Sequence, residues 1–275
     1  MSQNVIDIVS FKSKMVHNFR IEYALRAMRK NEGNCLELGC GEGLCLRTVL
    51  KHSNSALKGY GIDMDAERIN KARQLNDGID YKIGDITQNL PYSDGTFDAV
   101  LILDVLEHVG NPQGALAEAK RVLKPNGILF MVVPCEGSFF TLHWVLSKIK
   151  LGHRLTQEYG GHIQHFGKKE IFKLLRDNHF LVEKKYFSCH LFGQLTDILG
   201  FLVKDLDKTM KETNLDLLQY KFLYVSRYVM MKLMKTFLFK LSYYESLLFR
   251  KIGFFALDVN LTCKSITNGA RTTQR

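Results

Sequence analysis

Residues 35–43 read C-L-E-L-G-C-G-E-G, and the reading of that stretch decides the fold. The apolar run over 35–38 predicts a buried strand, the glycines at 39, 41 and 43 a sharp turn, and a helix is expected from about Glu42. Glycine has no Cβ, so the backbone can turn tightly and a ligand can approach it closely. The first N–H groups of the helix that follows point toward that ligand. Such a turn suits a nucleotide-like cofactor. The dinucleotide fingerprint G-x-G-x-x-G would need glycine at position 44, which is Leu44.

Downstream, strand and helix signals alternate. Residues 56–62 predict a second strand, ending in Gly61-Ile62-Asp63-Met64-Asp65. An acid at the end of a second strand, about 20 residues past the glycines, can accept hydrogen bonds from both ribose hydroxyls, and Asp63 takes that place. Asp65 reads as the N-cap of a helix running to about Leu75. A third strand over 79–83 leads into Gly84-Asp85-Ile86. The continuous apolar run 97–103 predicts a strand covered on both faces. Asp104 to His108 lies at its carboxyl end, where open α/β sheets bind ligands. A helix with proline in its first turn is expected over 112–123, then a turn at Lys124-Pro125-Asn126-Gly127 and a fifth strand over 128–134. This alternation implies an α/β fold built on a doubly wound, mostly parallel, Rossmann-like sheet.

The motifs E-L-G-C-G-E-G, G-I-D, G-D-I, L-P-Y-S-D-G-T-F-D-A-V, V-L-E-H-V and R-V-L-K-P-N-G occur in that order over residues 37–127. Together they resemble the class I S-adenosyl-L-methionine (SAM) methyltransferases, in particular the group containing the ubiquinone- and menaquinone-biosynthesis enzymes. The resemblance implies a seven-stranded sheet with an antiparallel last strand, and SAM as cofactor. It places Glu37, Gly39, Cys40, Gly41, Gly43, Asp63, Met64, Asp85, Ile86 and Asp104 at the cofactor, with the glycines on its amino-acid moiety and Asp85 at the adenine amino group. Asp104-x-x-Glu107-His108 also resembles a metal-binding E-x-x-E-H set of ubiquinone-pathway O-methyltransferases. Asp104 departs from that pattern with a shorter carboxylate, and no metal is assigned.

Beyond residue 134 the pattern is less regular. The segment 162–180 reads as a loop with His162 and His165 leading into a helix over 168–178, and strand six is expected over 181–188. Residues 256–264 alternate, with Leu257, Val259, Leu261 and Cys263 on one face and Asp258, Asn260, Thr262 and Lys264 on the other, an amphipathic strand. The roughly 65 residues between are too many for a hairpin loop. The expected organisation is a helical segment over 1–32, with a helix over 13–30, an α/β core over 33–188, a helical insertion or lid over 189–253, the last core strand over 254–264, and a tail over 265–275.

Net charge is +10 over 275 residues. Residues 201–275 hold 13 Lys+Arg against 6 Asp+Glu, so the basic excess sits in the last quarter. Such asymmetry suits an anionic membrane surface, nucleic acid or an acidic substrate. Residues 217–241 are amphipathic at helical spacing, with Leu223, Met230, Met231, Leu233, Met234, Phe237, Leu238 and Leu241 on one side and Lys221, Lys232, Lys235 and Lys240 on the other. That face suits either packing within the insertion or an anionic membrane surface. The six cysteines match no zinc spacing and read as reduced core thiols. With no signal peptide or membrane span in the pattern, a cytoplasmic protein with peripheral membrane association is expected.

Methyl transfer from SAM mainly needs the acceptor aligned and water excluded. A general base helps with a hydroxyl or activated-carbon acceptor. His108, His143, His162 and His165 are candidates, and His108, His162 and His165 are expected to be catalytic. Adenine amino methylation usually has an N-P-P-Y-like segment where this chain has L-D-V-L-E, and Cys135 lies after strand five, not after strand four where cytosine C5 methylation needs its nucleophile. The expected function is methylation of a small, hydrophobic or lipid-like acceptor, at oxygen in preference to carbon, with no nucleic-acid partner favoured. Methylation of RNA or protein, and a SAM-binding module without turnover, stay open as alternatives.

Overall fold

The computed structural model describes residues 18–53, 56–148, 154–213 and 218–266. Its sheet has seven strands: β1 (Gly33–Leu38), β2 (Leu57–Asp63), β3 (Asp80–Ile83), β4 (Phe97–Leu103), β5 (Leu123–Pro134), β6 (Phe180–Ser188) and β7 (Asp258–Ser265). Their order is β3-β2-β1-β4-β5-β7-β6. The pairs β1–β2, β1–β4, β2–β3 and β4–β5 are parallel. Leu36, Leu38, Ala99, Val100, Leu101 and Ile102 are fully buried, as residues of central strands covered on both faces must be. The order reverses beside β1, so the glycine turn leaves the sheet at the switch point where such folds bind ligands.

The helices are α1 (Asn18–Met28), α2 (Leu44–His52), α3 (Ala66–Arg73), α4 (Pro112–Val122), α5 (Leu142–Ser147), α6 (Lys168–Asp177), α7 (Leu191–Thr213) and α8 (Leu218–Phe249). Local signals set several boundaries. The Asp65 carboxylate accepts from the backbone N–H groups of Glu67 and Arg68, so it caps α3. Asn111 caps α4, with Pro112 in the first turn. Residues 13–17 of the expected first helix lie outside the described residues.

Two expectations are corrected. Strand β5 begins at Leu123, before the Lys124–Gly127 turn. Leu123 pairs with Phe97 and Ile128 with Ala99, so the turn is a bulge inside the strand. Strand β7 does not show a solvated polar face: Asp258, Asn260 and Thr262 are buried with their apolar neighbours. It runs between β5 and β6, and an interior strand is covered where an edge strand would be wet.

The chain divides into two compact units. The first comprises residues 1–133, 169–185 and 260–275, the second 134–168 and 186–259. In the second unit α7 and α8 lie side by side, with Gly193 against Ser242 and Gly200 against Lys235, which makes them antiparallel. Ser242 and Ser246 are buried, while Met230, Leu233, Met234 and Phe237 are between 42% and 67% exposed. The apolar stripe on α8 is therefore exposed at those positions, while Met231, Leu238 and Leu241 are half-buried. The side chains of 218–227 and of Lys232 lie outside the described set. Among the described residues no helix is long and apolar enough to cross a membrane.

Candidate active site

In the first unit the site is the turn after β1. Gly39, Gly41 and Gly43 have φ of 70°, 53° and 72°, a run of left-handed backbone that side chains resist. A Cβ on Gly41 would lie 2.7 Å from the Arg68 guanidinium. The turn is braced from two sides. Gly41 N–H donates to Asp63 Oδ2 at 2.7 Å, and Asp65 N–H to Asp63 Oδ1 at 2.9 Å. Leu46 N–H, in the first turn of α2, donates to Glu37 Oε2 at 3.1 Å. Burial pushes the Glu37 carboxyl up to about 8, so it holds its proton at neutral pH. Glu37 thus ties the turn to the helix from inside.

A nucleoside with a charged amino-acid arm fits what remains. Each Asp63 oxygen has accepted one backbone bond and keeps a second lone pair for a ribose hydroxyl. Met64, just past β2, is 76% exposed and Ile83, the last residue of β3, 48%, apolar surface that an adenine could cover. Asp85 is exposed, and bonds from Thr87 N–H, Thr87 Oγ1–H and Gln88 hold its carboxyl below the usual range, so it presents a formed anion. Ile86 is buried beneath it, and Cys40 is a buried thiol that burial pushes up. Asp104 sits at φ 51°, left-handed backbone that non-glycine residues seldom adopt. It forms an ion pair with Arg20 of α1, a partner that the motif reading missed. His108 ends a short 3₁₀ turn, 3.8 Å from the Glu107 carboxylate.

In the second unit the structure brings His162 and His165 together on a residue the sequence reading did not single out. Glu136 Oε1 lies 2.7 Å from His162 Nδ1 and Oε2 2.8 Å from His165 Nδ1. Burial would raise the Glu136 carboxyl, but the hydrogen bonds from His162 and His165 prevail and hold it at about 2. Glu136 is therefore an anion at neutral pH, and both Nδ1 atoms carry the hydrogens. In the neutral rings the lone pair then lies on Nε2.

Backbone geometry builds this arrangement. Glu136 follows the carboxyl end of β5, and Gly137 N–H donates to Phe166 O at 3.0 Å. A Cβ on Gly137 would press on His165 O at 2.5 Å, so only glycine lets the two loops meet. A π-helical turn over Thr156–Gly160, closed by Gly161 at φ 75°, delivers His162. Such turns often mark functional sites. His143, the fourth candidate histidine, is buried beside the cluster, and burial lowers its affinity for a proton. The acid just past β5, in P-C-E-G, was the available signal for Glu136.

Residues 36–131 match the family model described as a methyltransferase domain. A ubiquinone biosynthesis O-methyltransferase of Xanthomonas axonopodis pv. citri (strain 306) is 29% identical over 116 residues, 41% of this chain and 47% of that protein. Squalene methyltransferase 1 of Botryococcus braunii is 31% identical over 151 residues, 54% of this chain and 36% of that one. The chain spans between about a third and a half of the length of the curated relatives it matches. The geranyl diphosphate C-methyltransferase of Streptomyces coelicolor A3(2) shares the fold, with a TM-score of 0.55 at 12% identity over 90% of this chain and 80% of that one. Residues 36–131 are therefore similar to methyltransferase domains, and in fold and motif order the chain resembles the class I, S-adenosyl-L-methionine-dependent enzymes that include the ubiquinone-biosynthesis group.

Proposed function

We propose that the whole chain methylates a small, hydrophobic or lipid-like acceptor, at oxygen in preference to carbon. The observation that carries this reading is the Glu136 anion gripping both His162 and His165 by Nδ1. SAM, when bound, supplies a methyl group already activated by a sulfonium. The glycine turn, Asp63, Asp85 and Asp104 would hold it, and Met64 and Ile86 would pack on the base. A hydroxyl acceptor then has one proton to lose, and His162 or His165 takes it at Nε2. Glu136 holds the ring orientation and stabilises the imidazolium that forms, as a buried carboxylate does behind a catalytic histidine. His108 is a further proton acceptor in this reading, at the carboxyl end of β4.

An apolar acceptor is supported by the relatives, which act in ubiquinone biosynthesis and on squalene by their names. It is supported too by the exposed apolar residues of α8, which suit peripheral association of residues 217–241 with an anionic membrane. The test is transfer of labelled methyl from SAM into fractionated cell extract, with mass spectrometry of the product. Label in a lipid-extractable small molecule is expected, and label confined to RNA or protein overturns the reading.

A further inference from the structure

We infer that the second unit docks on anionic phospholipid through an aromatic platform separate from the α8 stripe. This rests on the proposed lipid-like acceptor and says how the enzyme would reach it. Phe139, Phe140, Trp144, Phe254 and Phe255 form one contact network, with ring centroids at 4.2 Å for Phe139–Phe140, 4.3 Å for Phe139–Trp144, 4.8 Å for Phe140–Phe254 and 4.5 Å for Phe254–Phe255. The four phenylalanines are nevertheless 44% to 58% exposed. Scattered exposed apolar residues are ordinary, but a contiguous patch marks an interaction surface.

The backbone presents this patch outward. Ser138 N–H donates to Cys135 O and Thr141 N–H to Ser138 O, while Thr141 caps α5 through Trp144 N–H. The chain between those anchors is forced into a tight tip, and Phe140 sits there at φ 69°. A bulky residue in left-handed backbone is strained.

Charge names the occupant. Lys148 Nζ stands 4.6 Å over the Trp144 ring, and Arg250 and Lys251 precede Phe254. Neither 137–148 nor 248–256 contains an Asp or Glu. Aromatic rings with a cation over one of them, on segments that carry no acid, suit the boundary between headgroup and acyl chain of an anionic bilayer. A second copy would set the same cations against each other on a chain of net charge +10.

Trp144 is the one tryptophan of the chain, so its emission reports on this platform alone. The full chain, without SAM, is titrated with vesicles of phosphatidylglycerol and phosphatidylcholine carrying brominated acyl chains. Blue-shifted emission, quenched about twofold or more, is expected, weakening in phosphatidylcholine alone and at high salt. Phe139→Ser with Phe254→Ser should weaken vesicle binding about tenfold or more, with SAM affinity by calorimetry unchanged. Absence of quenching in the wild-type chain overturns the inference, whether or not the variant folds. So does loss of binding in Leu233→Ser with Phe237→Ser while the phenylalanine variant binds normally, or a concentration-dependent dimer that shifts Trp144 emission without vesicles. A protein that quenches as expected but labels no lipid-extractable acceptor would sink the proposed acceptor and leave the docking surface standing.

Discussion

Asp63 Oδ2 accepts the Gly41 backbone N–H at 2.7 Å, across 22 residues of chain. The group proposed to bind the ribose is thus also the group that fixes the turn beneath the cofactor. Asp63→Ala removes both roles, and SAM affinity should fall by about 1.5–3 kcal/mol or more. Asp63→Asn keeps one acceptor oxygen and should lose less. Calorimetry on both variants checks this, and unchanged SAM binding in Asp63→Ala would remove the ribose assignment.

Glu136→Gln keeps the volume but offers one acceptor oxygen where two Nδ1–H groups need partners. Turnover should fall on the order of 10²-fold while SAM binding stays as it was. His162→Ala and His165→Ala should show the same split, with the larger loss at whichever ring takes the proton. Steady-state kinetics beside calorimetry separates the two effects, and full turnover in all three variants would show that alignment alone suffices.

The same anion gives a stability prediction in acid. The Glu136 carboxyl drops from 4.5 to about 2 on folding, so its contribution is complete above about 4.5 and is lost as pH falls toward 2. The shift corresponds to about 3 kcal/mol at neutral pH. Urea unfolding at pH 7, 4 and 3 should show the wild type losing its advantage over Glu136→Gln across that window. A constant difference at all three values would mean that the carboxylate is not held as an anion.

Glu37 should act in the opposite sense. Its carboxyl is raised from 4.5 to about 8 by burial, so the folded state keeps a proton that the unfolded chain releases. Stability should therefore decline as pH rises from about 4.5 to 8, at up to about 1.4 kcal/mol per unit. Glu37→Gln retains an acceptor for Leu46 N–H and cannot ionise. It should flatten that decline and exceed the wild type at pH 8, as read by urea midpoints at pH 5.5 and 8. A wild-type slope unchanged in Glu37→Gln would assign the pH dependence elsewhere.

Gly137→Ala places a methyl against His165 O, where only 2.5 Å is available. The loop must shift, and misplacing a base by about 1 Å can cost on the order of 10²-fold in rate. SAM affinity should not change. A variant as active as the wild type would show that the contact between the two loops does not position the histidines.

Much of the first unit was legible because its signals are local. The glycine spacing, Asp65 two and three residues ahead of the N–H groups it caps, and the apolar run of β4 each specify structure over a few residues. What escaped depends on distance along the chain. Glu136 acquires its meaning only from rings 26 and 29 residues away. Alternation in β7 suggested one wet face, but strand order decides exposure and covers both. Lys124–Gly127 was read as a turn between a helix and a strand, and nothing local says that it is a bulge in a strand that has already begun at Leu123. On α8 the periodic stripe was visible, but not which way it faces, because Ser242 takes the packed side against Gly193 of α7 and Ser246 accepts from Cys189 N–H.

The strand inserted between β5 and β6 is the last to be made. During synthesis both neighbours must wait with open backbone edges until residues 258–265 have left the ribosome. Unpaired edges are templates for pairing with other chains. A ribosome stalled before Asp258 would thus leave a nascent polypeptide with two sticky rims around one empty slot, and chaperone demand should peak at that point of translation.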